Sequence, residues 1–258
     1  MNKLNGKVVI VTGGAGLIGR EYIKAIVKNG GIGVIADINE IAGREAARAI
    51  NLEYKSKNAV FVKLDINSRA SICGIINKLL KKYGKIDALV NNAYPRNRNY
   101  GKKIEDVAYK DFCENINMHL GGYFLVSQQI AGLFRKQGHG NIINMASIYG
   151  VVAPRFEIYS GTSMTNPIEY GIVKSAIIYM TKYLAKYFKG SGIRVNCVSP
   201  GGIMDRQPSR FVAKYNEHCL SKGMLDKSDI AGTILFLLSD LSTYINGQNI
   251  VVDDGFCL

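Results

Sequence analysis

Tryptophan is absent from this 258-residue chain, proline appears only 5 times and histidine only 3 times. So little proline, with no low-complexity stretch and no internal repeat, excludes a fibrous or disordered chain. The 5 cysteines, Cys73, Cys113, Cys197, Cys219 and Cys257, are odd in number, lie far apart and form no C-x-x-C pair. That pattern offers neither a disulfide framework nor a zinc or dithiol motif, so the expectation is no metal and a reduced, cytoplasmic compartment. No run approaches the ~20 apolar residues that a membrane span needs. Residues 1–6 are polar and carry no charged-then-apolar leader ending in a small-residue cleavage site, so no membrane partner is expected. Acidic residues are also in deficit: 20 Asp and Glu face 33 Lys and Arg, a formal net charge of +13. The basic residues are scattered and form no stripe interleaved with aromatics, which suits a lysine-rich cytosolic surface and speaks against nucleic acid as a partner.

What is present is an apolar fraction of 47%, enough to bury one sizeable core. Short β-branched runs recur at 8–12, 34–36, 60–64, 88–91, 142–146, 195–199 and 250–252. Between them stand segments with helix-period apolar spacing, such as Ile23-Ile26-Val27, Ile72-Ile75-Ile76-Leu79-Leu80 and Ile177-Met180-Thr181-Leu184. Strand–helix alternation with nearly continuous apolar strands predicts an α/β fold: a seven-stranded parallel sheet with helices on both faces. One unbroken series predicts a single domain over 1–258. Loop excursions that shape a binding site are expected near 95–103, 148–168 and 201–224.

The first strand runs into Thr12-Gly13-Gly14-Ala15-Gly16-Leu17-Ile18-Gly19, followed by a helix-like stretch from Arg20. Glycines in a strand-to-helix turn let the backbone approach a pyrophosphate, whose charge is met by the amides and the positive end of the following helix. Asp37, at the end of the second strand, lies eighteen residues beyond Gly19. A carboxylate there can accept hydrogen bonds from both adenosine ribose hydroxyls and repels a 2′-phosphate, which favours NAD over NADP. The competing reading is an acidic cap for the helix that starts near Asn39.

Tyr170 and Lys174 stand four apart at the head of a helix-period segment, so both side chains project from one face. Ser147 stands at the exit of the fifth strand, where open parallel sheets place ligands. A phenol near pKa 10 is a poor base at neutral pH, and a neighbouring ammonium and a cationic nicotinamide ring would favour its phenolate. In that reading Tyr170 exchanges the alcohol proton, Ser147 holds the substrate oxygen, and Lys174 tunes the tyrosine and binds the nicotinamide ribose.

Together these residues resemble the short-chain dehydrogenase/reductase family over essentially the whole chain. Asp65, with Ile66 beside it, matches the family's adenine-contacting acid. Asn91-Asn92-Ala93 resembles its Asn-Asn-Ala-Gly, and Pro200-Gly201, with Ile203 beyond, matches the turn that faces the nicotinamide. The resemblance implies a doubly wound NAD(P) fold, a homotetramer or homodimer, and hydride transfer between nicotinamide and a carbonyl carbon. It implies cofactor contacts at Gly13, Gly16, Leu17, Ile18, Gly19, Asp37, Asp65, Ile66, Asn92, Ala93, Tyr170, Lys174, Pro200, Gly201 and Ile203. Asn-Asn-Ala-Tyr-Pro, His-Leu-Gly-Gly-Tyr-Phe and a long serine–tyrosine insert look like bacterial dehydrogenases tied to flagellin modification and surface-sugar biosynthesis.

The chain departs from the family pattern at several places. Leu17 stands where compact members have glycine, the Gly16 spacing being that of the extended branch. Tyr94 replaces the glycine of Asn-Asn-Ala-Gly, and Asp205 replaces a threonine that bonds the carboxamide. The family's fourth catalytic residue, an asparagine, aligns with His119 without gaps, with Asn117 as the alternative. Residues two apart on an α-helix point about 200° apart, so only one would face the site. A histidine there could also pass a proton near pH 6.5. Ser147 and Tyr170 are twenty-three residues apart, about twice the usual spacing, and the extra segment is rich in hydroxyls and aromatics. Such a segment suits a polyhydroxylated substrate. Arg96 and Arg98, in the loop after the fourth strand, could clamp a phosphate or carboxylate. The expected activity is NAD-linked interconversion of a secondary alcohol and a ketone on a sugar-like, phosphorylated or nucleotide-linked small molecule. The alternatives are a 3-oxoacyl carrier-protein reductase and a catalytically silent NAD-binding regulator.

Overall fold

Every apolar β-branched run becomes a strand in the computed structural model, which describes residues 3–258. The strands are β1 (Val8–Thr12), β2 (Ile32–Asp37), β3 (Ala59–Lys63), β4 (Ala88–Asn91), β5 (Gly140–Met145), β6 (Ile193–Pro200) and β7 (Asn249–Val252). They form one sheet in the order β3-β2-β1-β4-β5-β6-β7, with every neighbouring pair parallel. β1 and β5 are buried at each position, which is why their sequences read as continuous rather than alternating. β5 begins at Gly140, before its expected run, because the buried Asn141 breaks the apolar pattern without breaking the ladder, and buried Asn144 and Asn196 continue their strands in the same way. Asn144 pairs with Asn91 across β4 and β5, donates to Thr181 Oγ1 at 2.9 Å, and accepts from Asn91 Nδ2 at 2.9 Å.

The side-chain alternation of the strands sorts the core into two layers. Val9 and Val11 pack against helices α1 (Leu17–Lys28), α2 (Glu40–Glu53) and α8 (Ala231–Leu238). Val8 and Ile10 face the layer of α3 (Arg69–Tyr83), α5 (Gly122–Gln137) and α6 (Ile168–Tyr187). The short α4 (Tyr109–Ile116) continues into α5 through a π-helical turn at Asn117–Gly121. Among the described residues no helix is long and apolar enough to cross a membrane.

The segments at 148–168 and 201–224 do not hang free. With the C-terminal residues they build a small third core of Ile148, Ile158, Tyr159, Phe211, Tyr215, Met224 and Phe256. α7 (Ser209–Asn216) lies within this lobe. Phe256 is fully buried and stacks on Tyr215 with ring centroids 4.3 Å apart. The fold's own interior thus takes the aromatic residue of the C-terminal tail, while Leu258 stays exposed. Asp254 fastens the tail to the lobe by accepting from the amides of Ser221, Lys222 and Gly223 and from Ser221 Oγ. The loop at 95–103 is pinned to α4, where Asn97 donates to Asp111 and Glu114 and Asn99 donates to Asp111.

Truncating a fully buried aromatic side chain costs about 3–5 kcal/mol. Phe256→Ala is therefore expected to lower the urea-unfolding free energy by about 3 kcal/mol and to speed proteolysis within 201–224. A loss below about 1 kcal/mol would show that the tail does not hold the lobe.

Candidate active site

Two loops leave the sheet at its switch point, the gap between the carboxyl ends of β1 and β4 where chain direction across the sheet reverses. Thr12 ties them together: its Oγ1 accepts the amides of Asn92 at 2.9 Å and Ala93 at 3.0 Å, while Asn92 Nδ2 donates to Thr12 O and Gly13 O. Gly13 has φ +63°, and a Cβ there would lie 2.8 Å from Ala93 Cα. A Cβ on Gly19 would lie 2.4 Å from Gly13 O. Only glycine lets these turns approach so closely.

The N-terminus of α1 has no side-chain cap and no acidic residue in its first turn, whereas α2 and α3 are capped by Asn39 and Ser68. Uncapped amides at the positive end of a twelve-residue helix are a receptor for an anion. Asp37 Oδ2 accepts from Ala15 N at 3.1 Å and Oδ1 from Asn39 N at 3.0 Å, so the carboxylate braces the glycine turn while Asn39 itself caps α2. A crevice of about 730 Å³ follows, lined by Gly13, Gly16, Leu17, Ile18, Gly19 and Asp37 on one side. Asp65, Ile66, Asn92 and Ala93 line the other. The shape, the uncapped helix end and the carboxylate at the β2 exit fit a dinucleotide.

The polar side chains of α6 sit beyond the adjacent edge of this crevice. Lys174 is buried, and its Nζ donates to Met145 O at 2.8 Å and lies 3.5 Å from His119 Nε2. Tyr170, one turn earlier, has its ring centroid 5.6 Å from the same ammonium. Ser147 lies two residues past the end of β5, accepts from Tyr149 N at 3.2 Å and faces the Tyr170 phenol. The turn at Ile148–Gly150 lies flat on α6 because Gly150 has no side chain: a Cβ there would stand 2.6 Å from the Lys174 carbonyl carbon.

Burial dominates the electrostatics. It pulls Lys174 down to about 7 and pushes the Tyr170 phenol above its ordinary range, the Ser147 hydroxyl opposing it. The expected lowering by the ammonium together with a nicotinamide cation is not present in the chain by itself, where desolvation penalises both charged forms. Burial, reinforced by the Lys174 charge, also holds His119 well below the usual histidine value, so its ring is neutral rather than titrating near pH 6.5.

His119 and Asn117 face different surfaces. In the π-helical turn, whose hydrogen bonds run i→i+5, His119 points inward to Lys174 and Asn117 lines the dinucleotide crevice with Met118. Nothing in the composition of Asn-Met-His-Leu-Gly announces that turn. Arg96 and Arg98 are not among the crevice-lining residues, and the Arg96 guanidinium lies 5.2 Å over the Tyr94 ring. Pro200 ends β6, Gly201 N donates to Val252 O at 2.8 Å, and Ile203 bridges to Leu225. Gly201 lies against Tyr215 of the third core, Ile203 packs on the α1, α2 and α8 layer, and none of the three is among the crevice-lining residues.

Residues outside the expected set complete the site. Tyr94, Tyr100, Tyr149 and Tyr159 surround Tyr170; Tyr94 bonds Tyr100 through their hydroxyls at 2.6 Å, and Tyr159 bonds Tyr149 at 3.1 Å. Burial raises all four above the usual phenol range, so each is a neutral hydroxyl at physiological pH. The hydroxyl-rich character of 148–168 signalled part of this wall. A larger cavity of about 1100 Å³ lies between that segment, α6 and Lys103-Ile104-Glu105, but none of Ser147, Tyr170 or Lys174 lines it. The crevice itself is not lined by these three residues either; Tyr94 stands between them and it.

Comparison with known proteins agrees with this geometry. Residues 13–257 match the family model described as enoyl-(acyl carrier protein) reductase. The chain is 43% identical to post-translational flagellin modification protein A of Campylobacter coli, over 99% of this chain and all of that one. It is 34% identical to the 7alpha-hydroxysteroid dehydrogenase of Bacteroides fragilis, over 100% of this chain and 97% of that one. A crystal structure of a short chain dehydrogenase from Leptospira borgpetersenii with bound NAD+ superposes with TM-score 0.87 at 34% identity, covering 100% of this chain and 95% of that one. With its seven-stranded parallel sheet and helices on both faces, the chain belongs to the short-chain dehydrogenase/reductase family, oxidoreductases acting on CH–OH groups.

Proposed function

We propose that this protein interconverts a secondary alcohol and a ketone with NAD(H), on a sugar-like substrate. The observation that carries the reading is the meeting of Ser147, Tyr170 and Lys174 beside a crevice whose residues fit a dinucleotide. When bound, the dinucleotide supplies the hydride acceptor or donor. The amides of α1 meet the pyrophosphate, and Asp37 accepts the adenosine ribose hydroxyls. Ile38 follows Asp37, so no arginine stands beside it to receive a 2′-phosphate, and NAD is favoured over NADP. Asp65, Ile66, Asn92 and Ala93 flank the dinucleotide within the crevice, and the turn of Pro200, Gly201 and Ile203, outside that lining, would meet the nicotinamide end only where the dinucleotide extends beyond it.

Ser147 Oγ holds the substrate oxygen and Tyr170 Oη exchanges its proton. Lys174 Nζ, held by Met145 O, binds the nicotinamide ribose and lends positive charge to the phenolate. His119 Nε2, neutral and 3.5 Å from Nζ, positions the lysine amine without taking its proton. Neutral phenol hydroxyls beside aromatic faces suit the alternating hydroxyls and C–H faces of a carbohydrate. The relation to a flagellin modification protein supports the same reading. A second copy of the chain completes the protein. α6 exposes Tyr179, Tyr183 and Tyr187 along one stripe, and beside it runs a groove of about 640 Å³ lined by Phe112, Ile116, Leu120 and Phe124. Stripe and groove on one face meet their counterparts across a two-fold axis.

Two experiments test this. Purified protein screened against sugar phosphates and nucleotide sugars with NAD+ is expected to change nicotinamide absorbance, and Tyr170→Phe to cut the rate by at least ~100-fold. Absence of turnover across the panel, or preferential NADPH consumption on an acetoacetyl thioester, would instead favour a silent regulator or a carrier-protein reductase. In sedimentation velocity the protein is expected to run as a dimer or tetramer and Tyr179→Asp as a smaller species. A monomeric wild-type protein would remove the second copy from the account.

A further inference from the structure

Position 94 carries a ring where the family pattern has none, and the structure shows what that ring touches. Its centroid lies 5.1 Å from that of His119 and 5.8 Å from that of Tyr170, both edge to face. The Lys174 ammonium is 5.8 Å from the same centroid. Tyr94 is itself held from three sides. Its hydroxyl bonds Tyr100, the Arg96 guanidinium covers its face, and the preceding Asn92 and Ala93 amides are fixed on Thr12 Oγ1. On its outer side the ring lines the dinucleotide crevice beside Pro95.

We infer that Tyr94 is a positioning residue whose ring walls off Tyr170 and Lys174 from water on the crevice side and holds both in place. The catalytic meaning of this wall rests on the proposed roles of Tyr170 and Lys174, but the wall itself can be tested without them. The groups facing the ammonium are known from each neighbouring element: Met145 O from β5, His119 from the π-helical turn, Tyr123 from α5, Tyr170 from its own helix and Tyr94 from the loop. No carboxylate pairs with it. Glu169, buried on α6 and bonded to Asn115, acts instead on the Tyr94–Tyr100 pair.

Two effects of the ring oppose each other. Its face attracts the cation, which stabilises the charged form, while its bulk keeps water away, which destabilises it. Burial carries Lys174 to about 7, and of the rings that face it Tyr94 is the one that also lines the crevice, so its removal opens the ammonium to water from that side. Removing the ring must therefore move the lysine titration upward, toward its ordinary value. Losing only the Tyr94 hydroxyl must not.

The full-length chain labelled with ¹³Cε-lysine provides the readout: a single lysine resonance titrating near neutrality, assigned by its absence in Lys174→Met. Tyr94→Gly is expected to raise that midpoint by roughly one pH unit or more, with a circular-dichroism melt confirming the fold. Tyr94→Phe and Tyr94→Leu, which keep the bulk, are expected to titrate within a few tenths of a unit, on the order of the wild-type value. An unmoved midpoint in Tyr94→Gly would overturn the inference, as would a shift in Tyr94→Phe equal to that in Tyr94→Gly. Failure of the proposed enzymatic reading appears separately, as absent turnover with an intact titration pattern.

Discussion

The arrangement around Lys174 constrains the rest of the site more than any other contact. Withdrawing an ammonium from water costs several kcal/mol unless dipoles and aromatic faces replace its hydration shell. Here the replacement comes from Met145 O at 2.8 Å, the neutral ring of His119, and the faces of Tyr94, Tyr123 and Tyr170. These groups come from different segments, so α6 can occupy only one position relative to β5. The buried Asn91–Asn144–Thr181 chain fixes the same helix farther along, and Gly150 lets the Ser147 turn press directly on its backbone. The seven-stranded sheet presents the parts, but this desolvated charge sets their spacing.

The sheet was legible in the sequence because parallel strands buried on both faces must be apolar throughout, and Val8–Thr12 or Ala88–Asn91 can read as nothing else. Strand ends were harder to read, since Asn141, Asn144 and Asn196 lie buried in strands where asparagine is rare. Their partners are distant in sequence, as when Asn141 Nδ2 donates to Leu237 O at 2.7 Å. The glycine turn, Asp37 and the Asn92-Ala93 turn could be placed together because their meaning is a backbone constraint: Gly13 and Gly19 admit no side chain. The direction in which a ring points is not such a constraint. Tyr94 was visible as a departure, but whether it turned outward or toward Tyr170 depended on Thr12, Tyr100 and Arg96 acting from other parts of the chain. The π-helical turn at Asn117–Gly121 was illegible for a related reason: one inserted residue leaves the local composition helical and changes only which side chain faces inward.

The two halves of the site are built on different principles. The crevice half uses strand ends and helix starts, whose positions follow from the sheet, so its residues fall at predictable intervals along the chain. The other half is walled by a satellite core contributed by three segments far apart in sequence, joined where Phe256 stacks on Tyr215 and Tyr159 packs against Phe211; under the proposed function it would face the substrate. Gly202 N donates to Tyr215 Oη at 2.6 Å, so the turn after β6 is positioned by the lobe as well as by the strand. Substitutions in the lobe can therefore reshape that wall while leaving the sheet intact, because the two hydrophobic clusters flanking the sheet do not include it.

Desolvation also links the two halves energetically. Burial drives Tyr170 toward its neutral phenol and Lys174 toward its neutral amine, so in the chain by itself the ionised forms that proton transfer requires are both disfavoured. A neutral His119 adds no compensating charge. Positive charge brought into the crevice would favour the phenolate, and a hydrogen-bond acceptor placed against Nζ would favour the ammonium; a nicotinamide riboside offers both. In the unliganded chain burial thus disfavours charge on both groups, and a ligand of that kind would restore it. The burial that disfavours charge also fixes their geometry, and a looser, wetter site would ionise more readily while holding its groups less firmly in place.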